Sequence, residues 1–256
     1  MRTQFQDFEV IQGSSNVGVI IPVYGDNDSV CWVLRRFEKS LVRTICLVVD
    51  VPLKPVMNKI REAARQSGVV VHIIKNGHRT GLGSSIRQGL LYLSQTGHDV
   101  VVIMAGNAKD DPAEINRLVG PVLRHECDYA QGSRYLPGGN KGRMPFSRIV
   151  FNRLYPVVWT LLTGKRCTDV TNGFRCYRFD VLRDGRINLN QDWLNGYSLE
   201  YYLHYKVLTL GYRVNEVPVS KIYAFRNRGG YSKIQPLRDW WSIVSPLMLL
   251  ALGVRS

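Results

Sequence analysis

The sequence has no continuous apolar run of about 18 residues, the length that a helix needs to span a bilayer. Its N-terminus, MRTQFQDFEVIQGSSN, has no apolar core and is unlike a signal peptide. The most apolar segment, residues 240–256, is short and contains Pro246. We therefore expect no membrane span, and we expect the C-terminal segment 234–256 to be either a packed terminal helix or an amphipathic segment on a membrane surface.

Acidic residues are scarce: 20 Asp and Glu stand against 34 Lys and Arg, which gives a formal net charge of +14. Such a balance favours an anionic partner, either a phosphorylated small molecule, an acidic membrane surface or nucleic acid. The basic residues are scattered and form no basic tail, so a nucleic-acid-binding arm is not indicated. The five cysteines are widely spaced and form no CxxC pair, which predicts free thiols in a reducing cytosol.

Several common catalytic motifs are also missing. The sequence has no strict GxGxxG, no GxxxxGK[ST], no GxSxG and no HExxH, and its five histidines show no metal-ligand spacing. These absences argue against a dinucleotide-binding fingerprint, a P-loop, a serine hydrolase of that type and a zinc protease.

The first half of the sequence alternates strand and helix patterns. Four apolar, β-branched runs predict buried strands at 17–24, 44–50, 68–74 and 99–104. Helices are predicted at 112–125, with Asp110 or Asp111 as the N-cap, at 146–164 and at 196–211, and a further strand at 212–220. The pattern predicts an α/β fold with a mostly parallel central sheet flanked by helices, in one domain.

The carboxyl ends of the first four strands are all polar or glycine-rich. They read PVYGDND, VVDVP, KNGHRTGLG and MAGNAKDD. Ligands of such sheets bind beyond the carboxyl ends of the strands, so one crevice is expected to gather these loops. Basic residues in glycine-rich segments, QGSRYLPGGNKGR and RNRGGYSK, add charge suited to an anionic ligand.

At this point the chain resembles a known family. PVYGDNDSV, VVD, RTGLGSSIRQGL, VVIMAGNAKDDP, QGSRYLPGG, TDVTNGFRCY, GYSLE and EVPVS…RGGYSK occur in the order found in inverting family-2 glycosyltransferases. The branch that is most similar is the dolichol-phosphate mannose synthase type, with the bacterial polyprenyl-phosphate glycosyltransferases. The resemblance implies a GT-A fold over residues 1–233, with 1–15 as an N-terminal extension. It also implies a nucleotide-diphosphate sugar as donor and a Mg²⁺ or Mn²⁺ requirement.

The resemblance also implies roles for individual residues. Asp50 matches an aspartate that accepts a hydrogen bond from the base, and Val51 replaces the usual second aspartate. Glycines 81 and 83 lie in the loop near the ribose and diphosphate. The implied donor-binding residues are Pro22, Val23, Tyr24, Asp26, Asp50, Arg79 and Gly106. The implied acceptor- or phosphate-binding residues are Arg148, Asn152, Arg228, Ser232 and Lys233. The implied catalytic residues are Asn107, Lys109, Arg134 and Asp169, of which Asp169 begins a DxxxGFR segment that ends at Arg175.

The sequence departs from the family where the metal-binding DxD motif is expected. Residues 105–107 are Ala-Gly-Asn, and Lys109 occupies the position of a further ligand. Divalent cations such as Mg²⁺ favour charged oxygen ligands, so this loop alone should bind a metal weakly. Three hypotheses remain. Lys109, with Arg134, Arg228 and Lys233, stabilises the leaving diphosphate and reduces or removes the metal requirement; or Asn107 and Asp110 or Asp111 still hold a metal; or the site is inactive.

The resemblance therefore predicts transfer of a sugar, with inversion, to a polyprenyl phosphate or to a glycan. A lipid phosphate needs no general base, because it is already ionised, whereas a hydroxyl acceptor would need a carboxylate such as Asp169 or Glu200. A cytoplasmic location is expected, with peripheral contact to an anionic membrane at its inner face. One alternative is a non-catalytic relative that binds a nucleotide sugar or a partner enzyme. Another is a nucleotidyltransferase, which is disfavoured because the sequence lacks a glycine-rich, lysine-bearing N-terminal loop.

Overall fold

The computed structural model describes residues 16–24, 29–37, 41–222 and 238–255, with 238–242 described by their backbone alone. Within these residues, seven strands form one sheet that has helices on both faces. The strands are β1 (Val17–Tyr24), β2 (Thr44–Asp50), β3 (Val70–Asn76), β4 (Val100–Ile103), β5 (Tyr129–Ser133), β6 (Arg175–Arg178) and β7 (Val214–Pro218). The α-helices are α1 (Ser29–Leu34), α2 (Lys54–Ser67), α3 (Leu82–Gln95), α4 (Ile115–Leu123), α5 (Phe146–Thr163), α6 (Phe179–Leu182), α7 (Ser198–Thr209) and α8 (Arg238–Ala251).

The strands lie in the order β3-β2-β1-β4-β6-β5-β7. The pairs β1–β2, β1–β4, β2–β3 and β5–β7 are parallel, and β6 runs antiparallel to both β4 and β5. Six strands therefore point the same way, which confirms the predicted α/β fold with a mostly parallel sheet. The carboxyl ends of β5 and β7 consequently meet the same sheet edge as those of the first four strands.

The two faces of the sheet bury separate cores. In β1, Val19 and Ile21 pack with side chains of α1, α2 and α4, whereas Ile20 packs with side chains of α3 and α7. This alternation is the two-residue period of a strand whose faces are both covered, and it explains why the sequence of β1 is apolar throughout.

Most element boundaries differ slightly from the sequence prediction, and the differences at two elements have a clear structural cause. The strand expected at 68–74 is β3, which begins at Val70, because Gly68 adopts the left-handed conformation (φ 65°) that ends α2. The helix expected at 112–125 begins as a 3₁₀ turn, Pro112–Glu114, and becomes α4 at Ile115. Asp111 is the N-cap of that turn, since its carboxylate accepts a hydrogen bond from the Ala113 amide.

The helices α5, α7 and α8 share a third cluster. Tyr155 and Trp159 of α5 pack there with Ile243 and Leu247 of α8, and the Tyr155 hydroxyl donates to the Ile243 carbonyl oxygen at 2.6 Å. Part of the C-terminal segment is thus a packed helix. The predicted boundary at 233–234 and the predicted extension 1–15 lie outside the described residues.

The apolar residues that the sequence places on one face of α5 point away from the protein. Leu154, Val157, Val158, Leu161 and Leu162 are all exposed, and the inward side of α5 carries Asn152, Tyr155 and Trp159. No helix in the described part of the chain combines the length and the apolar character that crossing a membrane requires.

Gly83, in the first turn of α3, fixes how the segment 192–196 packs beside the site. A Cβ at position 83 would overlap the Leu194 carbonyl oxygen and lie 2.8 Å from the Gly196 carbonyl oxygen. Because backbone atoms cannot rotate away, we expect Gly83→Ala to lower the free energy of unfolding, measured in urea, by at least about 1–3 kcal/mol.

Gly77→Ala is the matched control for this substitution. An added Cβ at position 77 has no heavy atom within 4 Å, so a change within about 0.5 kcal/mol is expected. Equal effects of the two substitutions would contradict the packing explanation.

Candidate active site

A row of polar and aromatic residues ends the first three strands. Tyr24, Asp50 and Asn76 are aligned across β1, β2 and β3 in the sheet register. The loop after β3 returns over this row, and the Arg79 guanidinium lies 4.8 Å from the centre of the Tyr24 ring. Tyr24 and Arg79 are both exposed, so they offer a flat, cationic surface at the sheet edge.

Asp50 is buried and organises the loop between β3 and α3. Its carboxylate accepts hydrogen bonds from Asn76 Nδ2 (2.9 Å), the Thr80 amide (2.8 Å), Thr80 Oγ1 (2.9 Å) and the Gly81 amide (3.2 Å). Burial alone would raise the pKa of Asp50, but these hydrogen bonds outweigh burial and lower it. The described contacts use both carboxylate oxygens, so the role of Asp50 towards a base stays a prediction.

The glycines 81 and 83 have a structural use here. The Gly83 and Ser84 amides donate to the Asn195 carbonyl oxygen at 2.9 and 3.2 Å, so these amides are engaged by the segment 192–196. Arg87 of α3 binds the Asn195 side-chain oxygen of this segment, and it also donates to the Leu189 carbonyl oxygen just before the segment. These contacts fix α3 against that segment and leave the exposed Arg79 as the charged group of the loop.

The loop after β4 is pressed against the end of β1. Gly106 is buried against Pro22 and Val23, and its carbonyl oxygen accepts a hydrogen bond from the Ser29 hydroxyl at 3.1 Å. The exposed Asn107 side chain accepts from the Lys109 amide at 3.2 Å. A Cβ at position 106 would lie 3.0 Å from Val23, so this close approach suits glycine.

Asp110 forms a buried ion pair with Lys221, which follows β7. The Asp110 side chain is 1% exposed and that of Lys221 is 11% exposed. Asp110 is therefore not the helix N-cap that the sequence allowed. That role belongs to Asp111, whose carboxylate also pairs with Arg36 at 2.9 Å.

A cluster of cations surrounds Asp110, and we call Lys109, Arg148 and Lys221 the cationic cluster. The pKa of Lys109 is lowered to about 8 by burial, first of all, and by the positive charges of Arg148 and Lys221, whereas Asp110 opposes this shift. Arg148, on α5, and Lys221, which follows β7, therefore both act electrostatically on Lys109. At neutral pH the Lys109 ammonium form still predominates, so Lys109 contributes a positive charge to the loop that lacks two carboxylates.

Arg134 and Asp169 form a second buried ion pair. Nε and Nη2 of Arg134 each lie 2.6 Å from a carboxylate oxygen of Asp169, and the Arg134 amide donates to the same carboxylate at 3.0 Å. The two side chains are 4% and 0% exposed. The pair joins the end of β5 to the segment before β6, a positioning arrangement in which both carboxylate oxygens are already engaged. The catalytic roles of Arg134 and Asp169 stay predictions.

Glu200 lies on α7, and its carboxylate is within electrostatic reach of Lys221 and Asp110. Burial raises its pKa, Arg175 and Lys221 lower it, and Asp110 raises it. Arg175 itself is buried and donates to the Asn172 and Val170 carbonyl oxygens at 2.9 and 2.8 Å. The Arg175 side chain thereby binds the backbone of the DxxxGFR segment.

The residues around position 107 do not fit a divalent cation. Asp110 is engaged by Lys221, and the Asn107 oxygen is engaged by the Lys109 amide. Among the described residues, no three Asp, Glu, His or Cys side chains are grouped to hold a metal ion. A hard cation favours several charged oxygen ligands, and here Asp110 is already paired with Lys221 and Asp111 with Arg36.

Among the nominated residues that the structure describes, Tyr24, Asp50 and Arg79 lie together at the carboxyl ends of the first three strands, and their roles stay predictions. Arg148, a member of the cationic cluster, is half-buried, whereas Asn152, four residues along α5, is buried and its Nδ2 lies 3.4 Å from Met144 Sδ. The nominated residues Asp26, Arg228, Ser232 and Lys233 lie outside the described residues.

Lys221 is the residue that sequence reasoning missed. Its signal was available: it follows a predicted strand, in EVPVSK, and the polar residues that follow strands in the first half of the sequence were all considered. The direction of β7 was what the sequence did not reveal.

The chain is similar to known proteins along most of its length. Residues 18–186 match the model of the family described as "Glycosyl transferase family 2". The chain is 29% identical over 204 residues to an undecaprenyl-phosphate mannosyltransferase of Micrococcus luteus, covering 78% of this chain and 81% of that protein. It is 28% identical over 216 residues to a polyprenol monophosphomannose synthase of Mycolicibacterium smegmatis, covering 84% and 80%.

A solved structure with the same architecture is glucosyl-3-phosphoglycerate synthase of Mycobacterium tuberculosis, in complex with Mn²⁺, uridine diphosphate and phosphoglyceric acid. The TM-score is 0.66 at 16% identity, covering 96% of this chain and 81% of that chain. At this identity the likeness concerns the fold, and it confirms the predicted GT-A architecture.

Replacing Asp50 with Asn tests its hydrogen-bonding role. The folded-state pKa of Asp50 lies below its unfolded value, so the stabilisation is fully present above about pH 4 and is lost as the pH falls through the folded-state pKa. We expect Asp50→Asn to reduce the free energy of unfolding by about 1–3 kcal/mol at pH 7, with a smaller difference at pH 3.

Urea unfolding of both proteins at the two pH values measures this difference. Asp192→Asn, at an exposed position, is the control and should change stability by no more than about 0.5 kcal/mol. A difference for Asp50→Asn that does not depend on pH would argue against the role of its charge.

Proposed function

Because this chain belongs to glycosyl transferase family 2, we propose that it moves a sugar from a nucleoside-diphosphate sugar to the phosphate of a polyprenyl phosphate. The observation that carries the proposal is the cationic cluster. Its members come from the loop after β4 (Lys109), from α5 (Arg148) and from the segment after β7 (Lys221). The names of the Micrococcus and Mycolicibacterium relatives support a polyprenyl acceptor.

The row at the ends of β1, β2 and β3 is suited to the nucleoside half of the donor. Tyr24 presents an aromatic ring on which a base can stack, and Arg79 above it adds a positive charge for the ribose or diphosphate. Asp50 holds the Arg79 loop in place through Thr80 and Gly81. The donor would therefore extend from Tyr24 across the end of β1 towards Gly106 and Lys109.

The cationic cluster is suited to the diphosphate that leaves the sugar. Two unit charges about 4 Å apart interact by about 4 kcal/mol at an effective dielectric constant near 20, so one well-placed ammonium group can stabilise much of the developing charge. Lys109 and Lys221 each carry a positive charge, and the Lys221 side chain is held by its ion pair with Asp110, the residue that follows Lys109. This arrangement supports the hypothesis that cations take over the task of the missing metal ligands.

The acceptor chemistry follows from the same charges. An oxygen of the acceptor phosphate attacks the anomeric carbon opposite the leaving diphosphate, the new carbon–oxygen bond forms as the old one breaks, and the configuration inverts. No proton needs removal, because a phosphate monoester is ionised at neutral pH. Arg148, on α5 beside Lys109, would orient this phosphate.

A glycan acceptor would require a base. Glu200 would serve this role better than Asp169, because its raised pKa favours proton uptake and because both oxygens of Asp169 are bound to Arg134. The phosphate acceptor is preferred because Arg148 and Lys109 attract a dianion.

A second candidate is a relative that binds a nucleotide sugar without turnover. The observation that favours it is the Ala105-Gly106-Asn107 sequence, together with the engagement of Asp110 by Lys221. Under this alternative the donor row stays functional, and the cationic cluster binds the diphosphate without a transfer step.

The transfer reaction is tested directly with purified full-length protein. UDP-, GDP-, CDP- and dTDP-sugars, labelled in the sugar, are incubated with polyprenyl phosphate in detergent micelles. We expect one of the donors to give a labelled lipid that mild acid hydrolyses, as a glycosyl phosphate should.

The same donors are tested by thermal shift in the absence of acceptor. Stabilisation by one donor without any labelled lipid would favour the binding-only candidate, and transfer to glycan hydroxyls but not to polyprenyl phosphate would overturn the proposed acceptor.

Lys109→Gln removes the positive charge next to the proposed diphosphate position. We expect kcat/KM to fall by about 100-fold or more, the scale seen when one preorganised stabilising group is lost. Lys109→Arg keeps the charge and should retain most activity. Lys165→Gln, at an exposed position after α5, is the matched control and should change kcat/KM little in micelles.

Chelation gives an independent check on the cationic cluster. Turnover that EDTA abolishes and Mn²⁺ restores, combined with a small effect of Lys109→Gln, would overturn the assignment of the cationic cluster to the leaving group.

A further inference from the structure

The outer face of α5 is a continuous apolar stripe. Its members recur every three or four residues, which places them on one side of a helix about 27 Å long. We call this set the α5 stripe: Phe146, Val150, Leu154, Val157, Val158, Leu161 and Leu162. Phe146, Leu154 and Leu161 are 80%, 62% and 78% exposed, so a large apolar surface faces away from the core. An apolar patch of this size on a surface exposed to water indicates a binding site.

The inward side of α5 is fully used by the fold. Asn152, Tyr155 and Trp159 are buried there, and Ile243 and Leu247 of α8 complete the packing. The α5 stripe therefore contributes nothing to the internal core, although helix packing alone would favour polar residues on its outer side. Its apolar character requires an external partner.

The charges around the α5 stripe identify that partner. Residues 141–166 contain six basic residues and no acidic residue. Arg143 precedes the helix, Arg153 lies within it, and Lys165 and Arg166 follow it, all at exposed positions. An apolar helical face bordered by Lys and Arg is the pattern of a helix that lies in the headgroup region of an anionic bilayer.

We infer that the α5 stripe docks the protein on an anionic membrane, with α5 lying in the plane of the interface. This inference rests on the proposed function for its purpose, because α5 also carries Arg148, a member of the cationic cluster, which acts electrostatically on Lys109. A lipid phosphate in that membrane would approach the cationic cluster along the flank of the docked helix. The inference extends the membrane contact expected at the C-terminal segment to a different element.

Vesicle flotation tests the docking without any need for turnover. Full-length protein is mixed with vesicles of phosphatidylglycerol and phosphatidylcholine, or of phosphatidylcholine alone, and the fraction that floats is measured at low and high salt. We expect flotation with the anionic vesicles, and weaker flotation with neutral vesicles or at high salt.

Leu154→Glu and Leu161→Glu test the α5 stripe itself. Each should lower the vesicle partition coefficient by roughly tenfold or more, because a leucine side chain that would be buried in the membrane is replaced by a charged one. Leu91→Glu is the matched control: Leu91, on α3, is 61% exposed, almost the same as Leu154, and lies outside the α5 stripe. Its partitioning should equal that of the unsubstituted protein.

Activity on a short-chain, water-soluble isoprenyl phosphate separates this inference from the proposed function. The two glutamate variants should keep that activity while losing turnover on vesicle-bound acceptor. Absence of transfer with intact flotation would sink the proposed function and leave the docking in place.

Three results would overturn the docking inference. They are an absence of vesicle binding by the unsubstituted protein, an equal loss of binding in Leu91→Glu, and a dimer in light scattering that Leu154→Glu converts to a monomer without any vesicle binding. The last result would assign the α5 stripe to contact between two copies of the chain.

Discussion

The buried ion pair between Asp110 and Lys221 is the interaction on which the site depends. It joins the loop after β4 to the segment after β7, two regions that are 111 residues apart in the sequence. Breaking a buried pair by removing one partner costs about 3–5 kcal/mol, because the remaining charge is left uncompensated. The backbone reinforces the same junction, since the Ile222 amide donates to the Lys109 carbonyl oxygen at 2.8 Å. Lys109 is thereby held in place by its backbone hydrogen bond with Ile222 and by the ion pair of the adjacent Asp110.

The sequence predicted the fold well where local patterns and burial agree. The strands β1 and β2 were placed with their observed bounds, because strands covered on both faces are apolar from end to end. The start of β3 was predicted two residues too early, because the valine run directly follows Gly68, the residue at which α2 ends. The orientation of α5 could not be predicted, because helical periodicity identifies an apolar face but does not say whether the core or the exterior meets it.

The site was predicted in part, and the gaps have a physical origin. Lys109 was nominated because it occupies a position expected to bind a metal; burial and the nearby positive charges lower its pKa, and its catalytic role stays a prediction. Lys221 was missed because its importance depends on the strand order, in which β7 lies at the far side of the sheet with its end at the common edge. The pairing of Arg134 with Asp169 was likewise invisible, because 35 residues separate two motifs that had been considered independently.

The geometry of α5 sets a height for the reaction. A helix with its side chains is about 10–12 Å across, so residues on its flank stand roughly half that distance, about 5–6 Å, from the surface that its outer face meets. A phosphate attached to a lipid chain sits at the boundary between tails and water, which is the level that Arg148 would then occupy. An isoprenoid substrate could keep its chain among the surrounding lipids throughout the encounter, so chain length should matter little to recognition, and the encounter would reduce to lateral diffusion in two dimensions.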